Sequence, residues 1–362
     1  MEMRSRIGLA MMALAILACV APVYAGPKWE FGDDSWMKLS FLGQAHYAFP
    51  DGQTYDQDFY IRRARIILMG QMTDGIKFFA ETDNDKAGKQ DMSVSTDIQD
   101  AFIDVRLCQT DNSELWAAGG LILLPFSFES KSSAASLLGL DYNAEAVKLV
   151  NTFVWRDMGA ELHGNCGKKV VCRVGAFDGY DSEGGTKSDE ADLRYTGHIA
   201  VNLLGDVESG WFPSQNRLGK EEHYISLGAG FDMQDKATAV TTTDADGVET
   251  ETGQRDSEAM VIDMQSGFVL SDSASITLNA AYYDYDSAVF DGNTAFVETG
   301  VQLYKFMVTG KFSLQDPSEG EDTEDVTIGM HFFQKGHNAR CGIEYRWGDS
   351  DDLVLAGVQF LL

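Results

Sequence analysis

Proline and cysteine are scarce in this chain, basic residues are outnumbered, and only one apolar run is long. The 362 residues include 6 prolines and 5 cysteines. Pro125, Pro213 and Pro317 all fall between alternating segments. A strand-rich chain must keep them there, because proline cannot donate to a sheet ladder. Lysine and arginine number 28 against 56 aspartates and glutamates. That shortage of positive charge excludes nucleic acid as a partner and argues against an anionic membrane surface, since both need a basic face. Beyond the N-terminus no stretch approaches the ~20 apolar residues of a spanning helix, and no amphipathic helical period stands out. The cysteines lack metal-ligand spacing. Cys166 and Cys172 flank the turn Gly167-Lys168-Lys169, where a disulfide and two free thiols are both open. The histidines, His46, His163, His198, His223, His331 and His337, stand in no nucleophile or metal motif. The residues therefore point to no enzyme, no metal and no cofactor.

The long apolar run lies from Ile7 to Val20, behind Arg4 and Arg6, and Val23-Tyr24-Ala25 follows it. This is the layout of a secretory signal with cleavage after Ala25, which makes residues 1–25 a signal peptide and 26–362 one exported domain. Ile16-Leu17-Ala18-Cys19 offers a lipoprotein-type alternative. Removing residues 1–25 takes away Arg4, Arg6 and Glu2 and leaves 26 basic against 55 acidic residues, a net charge of −29.

What the chain has in abundance is alternation. Val358, Phe360 and Leu362 point one way and Gly357, Gln359 and Leu361 the other, because side chains alternate along a strand. About 16 such segments run from residue 36 to residue 362. Short connections, such as Thr73-Asp74-Gly75 and Tyr304-Lys305, follow even-numbered segments, while most odd-numbered ones precede longer, acid-rich connections such as Met233 to Glu258. Sorting of loops by parity is expected of an outer-membrane barrel with short periplasmic turns. The fold expected is all-β: a transmembrane antiparallel β-barrel of about 16 strands, with an inward-folded loop after strand 5. One connection breaks the rule. Leu204 to Glu222 is long yet even and contains Trp211-Phe212-Pro213, which reads as a periplasmic insertion or a misplaced strand.

The longest connection follows the fifth segment and opens Leu123-Leu124-Pro125-Phe126-Ser127-Phe128-Glu129-Ser130-Lys131. It is too apolar for a solvated loop. We expect it to fold inward as a constriction, with Pro125, Phe126, Phe128, Glu129 and Lys131 at the narrowing. Alternation places Arg63, Arg65, Glu81, Asp100, Asp104, Arg106, Arg173 and Arg194 on the pore-lining face. Arg63, Arg65 and Arg106 stand on strands close to those of Glu81, Asp100 and Asp104, so the wall is expected to be paired across strands.

Asp58-Phe59-Tyr60-Ile61-Arg62-Arg63-Ala64-Arg65-Ile66, Ile98-Gln99-Asp100-Ala101-Phe102-Ile103, Gly119-Gly120-Leu121 through Pro125-Phe126-Ser127-Phe128-Glu129, and Arg156-Asp157-Met158-Gly159 together resemble the phosphate-selective porin O/P family, in the family's order. Gly336-His337-Asn338 is similar to a late periplasmic turn of that family. The resemblance implies a 16-stranded homotrimeric porin of a Gram-negative outer membrane. The function expected is passive diffusion of small hydrophilic solutes or ions. The acidic balance points to weak selectivity rather than to phosphate. The acidic connections offer oxygen ligands for divalent bridges to lipopolysaccharide. The alternative reading is an outer-membrane barrel serving as a scaffold or anchor for a partner protein or surface layer, and single-channel conductance discriminates the two.

Overall fold

The computed structural model describes residues 26–50, 58–84, 96–146, 148–149, 155–180, 191–206, 208, 210–219, 222–243, 249–287 and 290–362. The expected signal peptide lies outside the described residues. The strands, in chain order, begin with β1 (Lys28–Glu30), β2 (Trp36–Pro50), β3 (Asp58–Thr73), β4 (Ile76–Asp83), β5 (Asp97–Gln109) and β6 (Ser113–Leu123). After an inner segment come β7 (Arg156–Cys166), β8 (Val170–Phe177), β9 (Arg194–Leu204), β10 (Tyr224–Thr243), β11 (Glu249–Ser271) and β12 (Ala274–Asp286). The last are β13 (Asp291–Leu303), β14 (Phe306–Pro317), β15 (Thr323–Phe333), β16 (Ala339–Gly348) and β17 (Leu353–Leu361).

From β2 onward every strand pairs antiparallel with its successor, and β17 closes on β2 from Leu353↔Pro50 to Leu361↔Leu42. The result is a closed 16-stranded barrel, as expected, plus one extra strand. The extra strand is β1, which the alternation did not reveal because it has only three residues. It pairs with Trp36 to Lys38 of β2, beyond the point where Leu361 of β17 lets go of that edge.

The closure follows from the solvent. Backbone N–H and C=O groups find no partner in hydrocarbon, so a sheet in lipid must have no open edge. The same constraint sorts side chains. Ile66, Ile103, Ile262, Val297 and Val308 are exposed on the outer face, while Arg65, Asp104, Asp263, Glu298 and Thr309, their neighbours along the strand, are buried inside. Short turns join β3 to β4, β5 to β6, β7 to β8, β11 to β12 and β13 to β14 at the rim where Leu362 lies. One expectation needs correcting: Met233 to Glu258 is not mostly loop. β10 runs on to Thr243 and β11 starts at Glu249. Val240 and the threonines after it are β-branched and fit a strand. Cys108, Cys166 and Cys172 are exposed and Cys341 is buried, and none of the four is in a disulfide, so Cys166 and Cys172 are not paired.

This sorting makes stability depend on depth. Ile262→Arg, on the outer face of β11 well away from the turn, is expected to destabilise the barrel by ~2–4 kcal/mol, and Leu270→Arg beside the short turn by about 0–1 kcal/mol. Denaturant unfolding of the two variants in lipid vesicles checks the difference.

Candidate functional site: the filled interior of the barrel

β6 ends at Leu123, and the chain then crosses the interior. Phe128 N donates to Asp263 Oδ2 on β11 at 2.7 Å, and Leu140 N donates to Glu344 Oε1 on β16 at 2.8 Å. Gln44 Nε2 on β2 donates to Ala134 O at 3.1 Å, and Thr294 Oγ1 on β13 donates to Glu145 O at 2.6 Å. Only a segment inside the ring can reach strands on opposite sides of it. Local sequence shapes its first turn, the one-turn helix α1 (Phe128–Lys131). Ser127 caps it: Ser127 Oγ accepts from Ser130 N at 3.0 Å, and Ser130 Oγ accepts from Ser127 N at 2.8 Å. This reciprocal pair satisfies two amides that the first turn would leave open.

The segment is held by apolar contact as well. Leu124, Phe126, Leu137, Leu138, Leu149 and Trp155 are fully buried. The Phe126 ring lies 5.9 Å from Tyr283 and 6.3 Å from Tyr285 of β12. The wall makes room for it with glycine. A Cβ on Gly230 would collide with the carbonyl oxygen of Phe126, and one on Gly300 with the Leu138 side chain.

The constriction candidates take distinct places. Pro125 and Phe126 are buried under the wall. Phe128 stands 4.9 Å edge-on from His198. Lys131 Nζ bonds Glu161 Oε2 at 2.9 Å and Leu123 O at 2.6 Å, and burial pulls its ammonium down to about 8. Glu129 accepts from Asn143 N at 2.8 Å and from Gln215 Nε2. Burial, reinforced by the nearby Glu298 carboxyl, pushes it up to about 8. Asp141, which the sequence reading passed over, latches the segment to β3. It meets Arg62 Nε at 2.5 Å and Arg63 Nη2 at 2.8 Å. Burial alone would raise it, yet the two guanidiniums hold it well below the usual carboxylate range.

The wall charges are paired, Arg65 with Glu81 as expected and the others with different partners. Arg65 meets Glu81 at 2.8 Å and Asp83 at 2.7 Å. Arg63, however, turns to Asp141 and to Gln44 Oε1 at 2.6 Å. Asp100 is taken by Arg156 at 3.0 Å, and Asp104 by His163 at 3.1 Å and Trp211 Nε1 at 2.7 Å. Arg106 leaves this set altogether. It stands at the short-turn end of β5 and bonds Asp74 in the turn, which is nearer to it than the carboxylates deeper in the wall. Arg173 meets Glu161 at 2.9 Å, and Arg194 meets Asp232 at 2.8 Å. Arg156 had been noticed only as part of a motif. It follows directly on the inner segment, which places it opposite β4 and β5.

Among its described residues the odd connection after Leu204 holds no further strand; it is an insertion on the short-turn side whose middle turns inward. Trp211 and Phe212 pack on Phe79 and Phe102 inside the wall. Gln215 and Asn216 are buried. The apolar triad Trp211-Phe212-Pro213 in a connection due to be short was the signal for this.

A closed antiparallel barrel with an apolar outer face and a polar, filled interior defines an outer-membrane β-barrel of the porin type. Residues 41–205 match the family described as phosphate-selective porin O and P, which bears out the resemblance read from the sequence over those residues. No curated protein matches the chain in sequence. Among solved structures, the chain is similar to a mutant of the Rh. blastica porin, at 14% identity and TM-score 0.56, over 90% of this chain and 100% of that one. It is also similar to the outer membrane channel DcaP of Acinetobacter baumannii, at 14% identity and TM-score 0.56, over 94% of this chain and 100% of that one. A third is OmpT, an outer membrane protein of Vibrio cholerae in its trimer form, at 11% identity and TM-score 0.57, over 91% and 100%. These likenesses support the fold. The fold is that of outer-membrane porins, and the family match over residues 41–205 supports a pore-forming channel of the outer membrane.

Glu129 gives the interior a pH dependence. Its folded-state value near 8 stands above the ordinary 4.5, so the folded protein holds a proton that the unfolded chain releases between those values. Its contribution is complete below 4.5 and is lost as pH rises through 8. Glu129→Gln is expected to remove this part of the decline. Unfolding midpoints of both proteins across pH 4.5 to 8 check it, and parallel curves would refute the assignment.

Proposed function

We propose that the protein conducts small hydrophilic solutes and ions with weak selectivity, and that the inner segment from Leu123 to Lys131 forms its constriction. The observation that carries this reading is the pairing of the interior. Among the described residues, Arg65, Arg156, Arg173 and Arg194 each face a carboxylate within about 3 Å. A guanidinium beside a carboxylate presents a small net field, so these four offer phosphate no unopposed ladder of positive charge; the excess positive charge sits where Arg62 and Arg63 share Asp141 and where Arg340 bonds the carbonyls of the inner segment. Paired arginines still shape the field locally. The chain's acidic excess lies in part on the outer connections, where Glu319 and Glu321 are exposed. We read export as directed by residues 1–25, the assembly as a homotrimer, and the protein as a channel rather than an enzyme.

The filled interior favours one rival, a barrel that anchors a partner protein or surface layer and conducts little. Purified protein in planar bilayers separates the two, since an anchor gives no defined unitary steps. For the channel, fields decay over ~8–10 Å at physiological salt. The paired interior therefore governs at ordinary ionic strength, and the acidic mouth gains influence as salt falls. Reversal potentials in a KCl gradient are expected near zero at high salt, with cation preference growing at low salt. A strong anion preference at both, blocked by micromolar phosphate, would overturn weak selectivity.

A further inference from the structure

The segment Gly210–Gly219 spans the barrel beneath the inner segment. On one side Trp211 lies 5.7 Å from Phe79 and 5.3 Å from Phe102, and Phe212 lies 4.9 Å from Phe79. Gly210 O accepts from Arg173 Nη2 at 2.6 Å. On the far side Asn216 Oδ1 accepts from Thr277 Oγ1 of β12 at 3.3 Å, and Asn216 O bonds His337 Nε2 at 2.7 Å. Leu218 packs beside Leu138, Met307 and Phe333. A stretch tied to both walls is a strap across the lumen.

The strap also docks on the inner segment. Ser133 N donates to Pro213 O at 3.1 Å, and Asn216 N donates to Ser136 O at 3.0 Å. Leu138 N donates to Gln215 Oε1 at 2.5 Å, while Gln215 Nε2 donates to Glu129 Oε2. Two chain segments entering from opposite rims thus meet edge to edge with their backbone groups satisfied by one another. Such groups would otherwise be buried without partners, which is costly. The fit is uneven around the ring. At β12, β14 and the β15–β16 turn the strap meets the wall directly. Against β2 to β4 a cavity of about 270 Å³ remains, bounded by Ser40, Arg65, Glu81, Arg156, Phe212 and Ala134.

We propose that Gly210–Gly219 is the short-turn-side half of the constriction, and that it confines solutes to the cavity against β2 to β4. The proposal rests on the porin reading above. Its chemistry follows from that cavity's lining: Arg65 and Arg156 oppose Glu81 beside Ser40, within a boundary otherwise largely apolar, including Leu42, Ile67, Phe79 and Phe212. The site suits small polar solutes carrying both charges or none.

Two measurements test it, with heat-modifiable gel mobility reporting correct assembly. In the first, Gly210–Gly219 is replaced by Gly-Ser and unitary conductance in planar bilayers is compared with that of the intact protein. Conductance is expected to rise roughly twofold or more, since the strap spans the lumen from wall to wall. Phe212→Ala, which keeps the strap, is expected to give a smaller rise, and it carries the test if the replacement does not assemble. In the second, Ser40→Cys and Thr277→Cys are made with Cys108, Cys166, Cys172 and Cys341 replaced by serine. A charged methanethiosulfonate reagent is expected to reduce current through Ser40→Cys. It should leave Thr277→Cys, covered by Asn216, unchanged until the strap is removed. An intact protein that conducts, with equal conductance in the strapless and Phe212→Ala forms, overturns the strap. So does equal block at both cysteines. An intact protein that is silent while the strapless form conducts supports the strap, as a full closure. Silence of both forms overturns the porin reading itself.

Discussion

The structure depends on one constraint: in hydrocarbon, every backbone N–H and C=O must find its partner within the protein. An open sheet would leave two edges of unpaired groups in lipid. The pairing of β17 with β2 removes them. The short β1 takes over the edge of β2 where β17 stops. Once the ring is closed, the period of two assigns each residue to lipid or lumen, and the polar half of the sequence has nowhere to go but inward.

That inward half has to be satisfied in a space shared with two inward-folded segments. Buried charges cost several kcal/mol each unless paired and hydrogen-bonded. The interior answers with cross-strand ion pairs such as Arg65 with Glu81 and with charges that serve the inner segment instead of a solute. Arg340 donates to Leu137 O at 2.6 Å and Gly139 O at 2.9 Å. Lys131 and Arg173 share Glu161. A residue pair that holds a loop in place also removes its own charge from the path of a passing ion. The positioning of the loop and the weak selectivity we propose have the same physical origin.

The inner segment is anchored by a strained residue at its end. Trp155 takes φ 60, a conformation costly for a bulky side chain. It is over-determined by its surroundings: its Nε1 donates to Ala146 O at 2.9 Å, its carbonyl accepts from Leu124 N at 2.6 Å, and the Tyr142 ring lies 5.0 Å away. The segment is therefore fixed at both ends, by the Ser127 cap at the start and Trp155 at the finish.

Alternation gave the all-β class and the two faces of the strands, because a strand's side chains alternate whatever surrounds it; the sorting of loops by parity and the N-terminal signal pointed that pattern to a closed barrel in the outer membrane. The apolar opening of the inner segment was legible as well: Leu123 to Phe128 could not be left in water. The extension of β10 was hidden where Asp235 and Lys236 interrupt the alternation ahead of the β-branched run from Val240 to Thr243. Partner choice was not legible. The face of Arg63 was clear from its parity, but Asp141 lies 78 positions along the chain and reaches it only because a segment without regular period folds back through the ring. Trp211 meets Asp104 across 107 positions in the same way. Only the tertiary structure decided these contacts, because distance along the chain says nothing about which groups meet once two loops are packed inside a closed wall.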